Sequence, residues 1–178
     1  MAAISKGAAD GMKVSINIIA MLIALVALIA FCNAALGKFG IFLATTCGLD
    51  FSAIGIDLSH LTIETIVGKI FAVFAAVMGA TWGNIEQVGT LIGEKMILNE
   101  CIGYIHMLGM ENLTPKSIAV ATFALAGFAN LSTVAIQIGG IGELAPNQRK
   151  NLARLSIKAM ICGTFTSYIS ACIAGILL

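Results

Sequence analysis

The longest unbroken apolar run lies near the start of the chain, where residues 14–36 read VSINIIAMLIALVALIAFCNAAL. A helix needs about 20 apolar residues to cross the hydrocarbon core of a bilayer. The pattern therefore predicts a transmembrane helix over 14–36. The run also exceeds the roughly 7–15 apolar residues of a cleavable signal sequence, so it reads as a retained helix. Over 37–61 the pattern changes: Gly40, Gly48 and Gly55, with Asp50 and Asp57, interrupt the apolar residues. Loop and short pieces at a membrane interface are expected there.

Two arms follow over 62–108, joined by the polar stretch TWGNIEQ. The cleanest apolar run of the first arm, Ile70 to Ala80, covers about half a span. Gly79, Gly83 and Asn84 mark the turn, and the pattern predicts a re-entrant helical hairpin. Such a hairpin survives in a membrane only where protein buries it or it lines a cavity. Residues 117–145 are apolar at both ends but interrupted by Gly127, Asn130, Ser132 and Thr133. This predicts a transmembrane helix broken near its middle, a device by which transporters expose backbone groups to a substrate. A polar seam between two helices would use the same residue types. A terminal transmembrane helix closes the chain over 156–178. The predicted fold class is an all-α integral membrane protein: transmembrane helices plus a re-entrant helical hairpin and a broken transmembrane helix.

Composition agrees with this class. Of the 178 residues, 59% are hydrophobic and 11% charged, against about 25% charged in soluble domains; the mean hydropathy is +1.00. A net charge of +1 with no basic run gives no footprint for nucleic acid. The five cysteines are scattered without a CxxC pair, which argues against a disulfide framework or zinc site. Arg149, Lys150, Arg154 and Lys158 cluster before the terminal helix, and Lys6 and Lys13 precede the first. By the positive-inside rule both clusters are cytoplasmic, so the C-terminus is extracytoplasmic.

Glu94, Lys95 and Glu100 stand out within the second arm, GEKMILNECIGY. Ionised groups at the bilayer centre cost about 2.5–3.5 kcal/mol on insertion scales, so each needs a partner, water or a ligand. On one continuous helix Lys95 and Asn99 would share a face, with Glu100 about 140° away from Lys95. Solvation near the open end of the hairpin is the plainer reading, more natural for Glu94 than for Glu100, which has apolar neighbours on both sides. Catalysis has little support: there is no HExxH, and the histidines are His60 and His106.

Two segments resemble the concentrative nucleoside transporter family. GEKMILNECIGY is similar to that family's G-x-K-x-x-x-N-E-F-V-A-Y signature, and GFANLSTVAIQIGGIGELAP to its G-F-A-N-[FL]-S-S motif and the glycine-rich run after it. The resemblance covers nearly the whole chain but only the C-terminal half of the family. It implies that Glu100, Asn99, Phe128, Asn130 and Thr133 form the ribose-facing side of a nucleoside site. A carboxylate can accept hydrogen bonds from two ribose hydroxyls, Asn130 and Thr133 offer further polar groups, and Phe128 offers an apolar face. It also implies nucleoside uptake by symport, no cofactor, and a coupling ion, Na+ or H+, bound mainly in the missing N-terminal half. The expected partners are that half, membrane lipid and two further copies in a homotrimer, in a plasma membrane of the bacterial inner-membrane type. A transport-inactive membrane fragment or structural subunit is the alternative. Four positions depart from the pattern: Cys101 replaces Phe, Thr133 replaces Ser, Ala126 stands where many relatives have Cys, and Thr81 where the family has Pro.

Overall fold

The computed structural model describes residues 1–46, 58 and 61–178. Among them are seven α-helices and no strand: α1 (Ala2–Thr46), α2 (Ile63–Val77), α3 (Ile85–Ile97), α4 (Glu100–Gly109), α5 (Pro115–Leu125), α6 (Leu131–Leu144) and α7 (Arg149–Leu177). Short 3-10 turns, Trp82–Asn84 and Pro146–Gln148, lead into α3 and α7. Two of the described helices, α1 and the unit ending in α7, are long and apolar enough to cross a membrane.

The boundaries differ from the sequence expectation in instructive ways. Helix α1 continues ten residues past position 36, to Thr46, because nothing in GKFGIFLATT breaks it. The expected interfacial segment 37–61 is thus helical in its first part, and 47–57, 59 and 60 lie outside the described residues. Helix α7 starts at Arg149, so the basic cluster forms its first turns.

The larger correction concerns 62–108. Helices α2 and α3 do pack antiparallel around the turn at 78–84. Gly79 takes φ +89° there, a left-handed conformation that suits glycine. Gly79 N–H donates to Ala76 O and Ala80 N–H to Ala75 O, each at 3.1 Å, which closes α2 in a Schellman cap. The second arm, however, is not one helix. It stops at Ile97, turns through Leu98 and Asn99, and returns as α4. The start of α3 therefore meets the end of α4: Asn84 Nδ2 donates to Asn112 O at 3.0 Å, and Thr114 N–H donates to Asn84 Oδ1 at 3.0 Å. The physical cause is Asn99, whose side chain accepts from Ile102 N–H at 3.0 Å and so starts a new helix inside an apolar run. Helices α3 and α4 are themselves a helical hairpin, with Leu98 and Asn99 at its tip.

Close approach welds α2 to α3. A Cβ added at Gly89 would lie 2.6 Å from Ala72 N, and one at Gly93 would lie 2.8 Å from Gly68 N. The spacing Gly89-x-x-x-Gly93 is the small-residue pattern that lets membrane helices touch backbone to backbone. The core then forms where α3, α5 and α7 meet: Val88, Leu91, Ile92, Val120, Ala124 and Ala171 are all fully buried. Helix α7 runs antiparallel along α5 and α6, so Gly175 faces Met78 and Val120 at one end while Gly163 faces Ala129 midway. Helix α1 packs along α6 and is tied to α2 by Asn33, whose Nδ2 donates to the Glu64 carboxylate and whose Oδ1 accepts from Ile63 N–H. At its other end Val14 and Ile18 touch Gly140 of α6, which brings Lys13 to the end of the molecule that carries Arg149 and Lys150.

Thr81, where the resemblance leads one to expect Pro, uses the donor that proline lacks. Its N–H donates to Ser117 Oγ at 3.0 Å and its hydroxyl pairs with that of Thr114 at 2.8 Å. The turn before α3 is thereby fastened to the start of α5.

Candidate functional site

Two interruptions of helix face each other in the middle of the molecule. One is the hairpin tip at Leu98–Asn99; the other is the stretch 126–130 between α5 and α6. Each ends one helix and begins another, so each exposes free carbonyls on one side and free N–H groups on the other. Local sequence satisfies part of this demand. Asn130 is the N-cap of α6, its Oδ1 accepting from Thr133 N–H at 2.7 Å and from Thr133 Oγ1 at 2.9 Å. Asn99 performs the same task for α4.

The rest is satisfied across the gap. Ser132, in the first turn of α6, donates to Leu98 O at the end of α3. Asn130 Nδ2 donates to Glu100 Oε2 at 2.7 Å. The two roles of Asn130 fix its orientation, because its oxygen must face the helix it caps, leaving only its amide nitrogen to meet a carboxylate. Asn130 is 1% exposed, while Glu100 and Thr133 are half-buried. The carboxylate of Glu100 has more acceptor capacity than Asn130 fills, so it can receive O–H donors from a ligand.

Phe128, 72% exposed, projects from the interruption itself. Beside it lies an open cleft of about 190 Å³ between α6 and α7, lined by Phe128, Asn130, Thr133, Gln137, Ser156 and Met160. Glu100 and Asn99 are not part of its lining; they lie beyond Asn130, on the hairpin. The structure thus joins Glu100, Asn130 and Thr133 by hydrogen bonds, sets Phe128 next to them, and uses the side-chain oxygen of Asn99 as a cap. Gln137 and Ser156 were not singled out from sequence. Gln137 lies one turn after Thr133 on the same face of α6, a spacing that could have drawn attention to it.

Glu94 and Lys95, for which solvation at the open end of the hairpin was the plainer alternative, are buried. Glu94, 8% exposed, reaches across the hairpin, with Oε1 2.6 Å from His106 Nδ1. Lys95 is 0% exposed, and its Nζ donates to Ala124 O at 2.8 Å. With the helix interrupted at 98–99, the relative angles expected of Lys95, Asn99 and Glu100 on one continuous helix do not apply.

Residues 1–175 match the family model described as Na+ dependent nucleoside transporter C-terminus. The chain belongs to this transporter family. It is not an enzyme family, and membership makes the chain a membrane protein. The chain is 39% identical over 97% of its length to an uncharacterized transporter, YutK, of Bacillus subtilis, and 37% identical over 98% to the nucleoside permease NupC of Helicobacter pylori. It spans 40% of each of these relatives. Among solved structures, a substituted CNTnw in an outward-facing state superimposes with a TM-score of 0.81 at 34% identity, covering 97% of this chain and 41% of that one. CNTnw in an inward-facing substrate-bound state gives 0.69 at the same identity, covering 96% and 40%. Identity, fold and family model agree on the C-terminal domain of a nucleoside transporter.

Proposed function

We propose that this domain belongs to a cation-coupled nucleoside symporter and supplies the ribose-facing side of its substrate site. The observation that carries the reading is the meeting of Glu100, at the tip of the α3–α4 hairpin, with Asn130, at the start of α6. A carboxylate with open acceptor capacity, a hydroxyl on Thr133 and the flat face of Phe128 gather at two helix interruptions. These groups match a vicinal diol with an apolar ring beside it. Asn99 contributes by holding the turn that presents Glu100, and its amide nitrogen remains available to the sugar.

The membrane placement follows from charge and length. The end bearing Lys13, Arg149 and Lys150 faces the cytoplasm, and the C-terminus is extracytoplasmic, in a bacterial inner membrane. Helix α3 has 13 residues, about 20 Å, short of the roughly 30 Å core. The α3–α4 hairpin therefore enters from the outer face and stops partway, against the broken transmembrane pair α5 and α6. The remainder of the transporter closes the other side of the nucleoside and binds most of the coupling ion, Na+ or H+. The complete protein is a homotrimer in contact with lipid, and carries its substrate by an elevator-like alternation.

The test is uptake of labelled uridine by cells that express this chain alone or together with the N-terminal remainder of the transporter. Uptake is expected only with both. Uptake by this chain unaided, or none with both, would contradict the reading.

A further inference from the structure

Lys95 is the most deeply buried charge in the described structure, and the ribose site does not use it. Its side chain is 0% exposed. Among the described residues no carboxylate approaches its Nζ within 4.0 Å. An ammonium without a counter-ion is costly to bury, so its surroundings must compensate. They do so with a helix end. Nζ donates to Ala124 O in the last turn of α5, where free carbonyls and the helix dipole together carry about half a negative charge. The Tyr168 ring lies below the ammonium, with its centroid 6.0 Å away, at the limit for a cation–π contact. Gly127 passes over it; a Cβ there would lie 3.7 Å from Nζ and 1.9 Å from Ser167 Oγ.

The other arm of the hairpin acts on the same turn. Tyr104 of α4 donates its hydroxyl to Thr122 O at 2.8 Å, a carbonyl that also accepts from Ala126 N–H at 3.1 Å. The last turn of α5 is therefore gripped from both arms, by Lys95 four residues before Asn99 and by Tyr104 four residues after Glu100. On the far side of the interruption stands Asn130, already bonded to Glu100.

We infer that Lys95 is a positioning residue: a built-in cation that caps the end of α5 and, with Tyr104, holds the helix interruption in register with the hairpin tip. It touches no substrate. It acts through Asn130 and Glu100, whose alignment depends on where α5 stops. The effect on transport rests on the nucleoside reading above, whereas the capping of α5 does not.

The experiment uses the complete transporter with Lys95→Met, Lys95→Ala and Tyr104→Phe. Two quantities are read: the uridine KM against the maximal rate, and hydrogen–deuterium exchange of segment 122–130 in purified protein without substrate. Lys95→Met keeps the bulk and removes the charge. It is expected to raise KM, and to speed exchange of the Ala126 amide, by at least about tenfold. Tyr104→Phe should move both in the same direction by less. In Lys95→Ala, millimolar methylammonium should slow that exchange again and lower KM, whereas methanol should do neither. Should Lys95→Met fail to accumulate, the alanine variant with methylammonium decides. Wild-type exchange and KM in Lys95→Met, or equal effects of methylammonium and methanol, would overturn the inference. Faster exchange in a protein whose wild type takes up no nucleoside would leave Lys95 as the cap of α5 and sink the transport reading instead.

Discussion

Asn130 shows how one side chain can serve two neighbouring elements at once. Its oxygen starts α6 and its nitrogen holds Glu100. Substitutions separate the two tasks. Asn130→Ala removes both, and should lower stability by about 1–2 kcal/mol through the lost cap while abolishing measurable uridine uptake. Asn130→Asp keeps a good cap but sets a second carboxylate against Glu100. Its melting temperature in detergent should stay near wild type while uptake falls as far as in the alanine variant. Wild-type uptake by the aspartate variant would show that the Asn130 amide is not needed. At this scale the resemblance to family motifs singled out Glu100, Asn130, Thr133 and Phe128, and the structure joins the first three by hydrogen bonds. Lys95 stood out as a charge but received no role, and Tyr104 was not singled out, since their partners are main-chain carbonyls of α5 and a sequence does not show which helix ends come together.

The elements owe their packing to glycine as much as to apolar bulk. At Gly89 and Gly93 an added Cβ would meet the α2 backbone at 2.6 Å and 2.8 Å, whereas at Gly11 it would meet nothing within 4 Å. Gly93→Ala is thus expected to lower stability by about 1–3 kcal/mol, and Gly11→Ala to leave it unchanged or slightly raised through helix propensity. Thermal unfolding followed by circular dichroism in detergent checks both; equal effects would argue against backbone contact between α2 and α3. The paired helices around Gly79 could be read from sequence because glycine, asparagine and charge mark that turn. The second turn, at Leu98–Asn99, carries neither Gly nor Pro, and its one signal is an asparagine followed by a glutamate. That signal was read as ligand chemistry rather than as a helix start. The structure shows it to be a helix start, and the proposed ribose site uses the same turn.

At the scale of the whole molecule, apolar surface and charge are sorted by position. Most large apolar side chains of α1 are exposed, among them Ile19, Ile23, Val26, Leu28 and Phe31, as suits a helix that faces lipid or further protein. Charges that cannot face lipid are spent on helix ends and cross-links: Lys95 on α5, Arg149 on Gly142 O at the end of α6, and Glu94 on His106. The membrane class was plain from composition, since too few charged residues remain to cover a soluble fold. The chain covers about 40% of its bacterial relatives, so the site it builds is one wall of the proposed pocket, with Glu100 as its principal ligand. The most direct measurement compares uptake of uridine and 2′,3′-dideoxyuridine by the complete transporter, as wild type and as Glu100→Gln. Loss of charged hydrogen bonds to the sugar, about 1.5–3 kcal/mol, predicts a rise of about 10- to 100-fold in the uridine KM, with a much smaller change for the analogue that lacks both hydroxyls. An equal loss for the two nucleosides would contradict the assignment of Glu100 to the ribose.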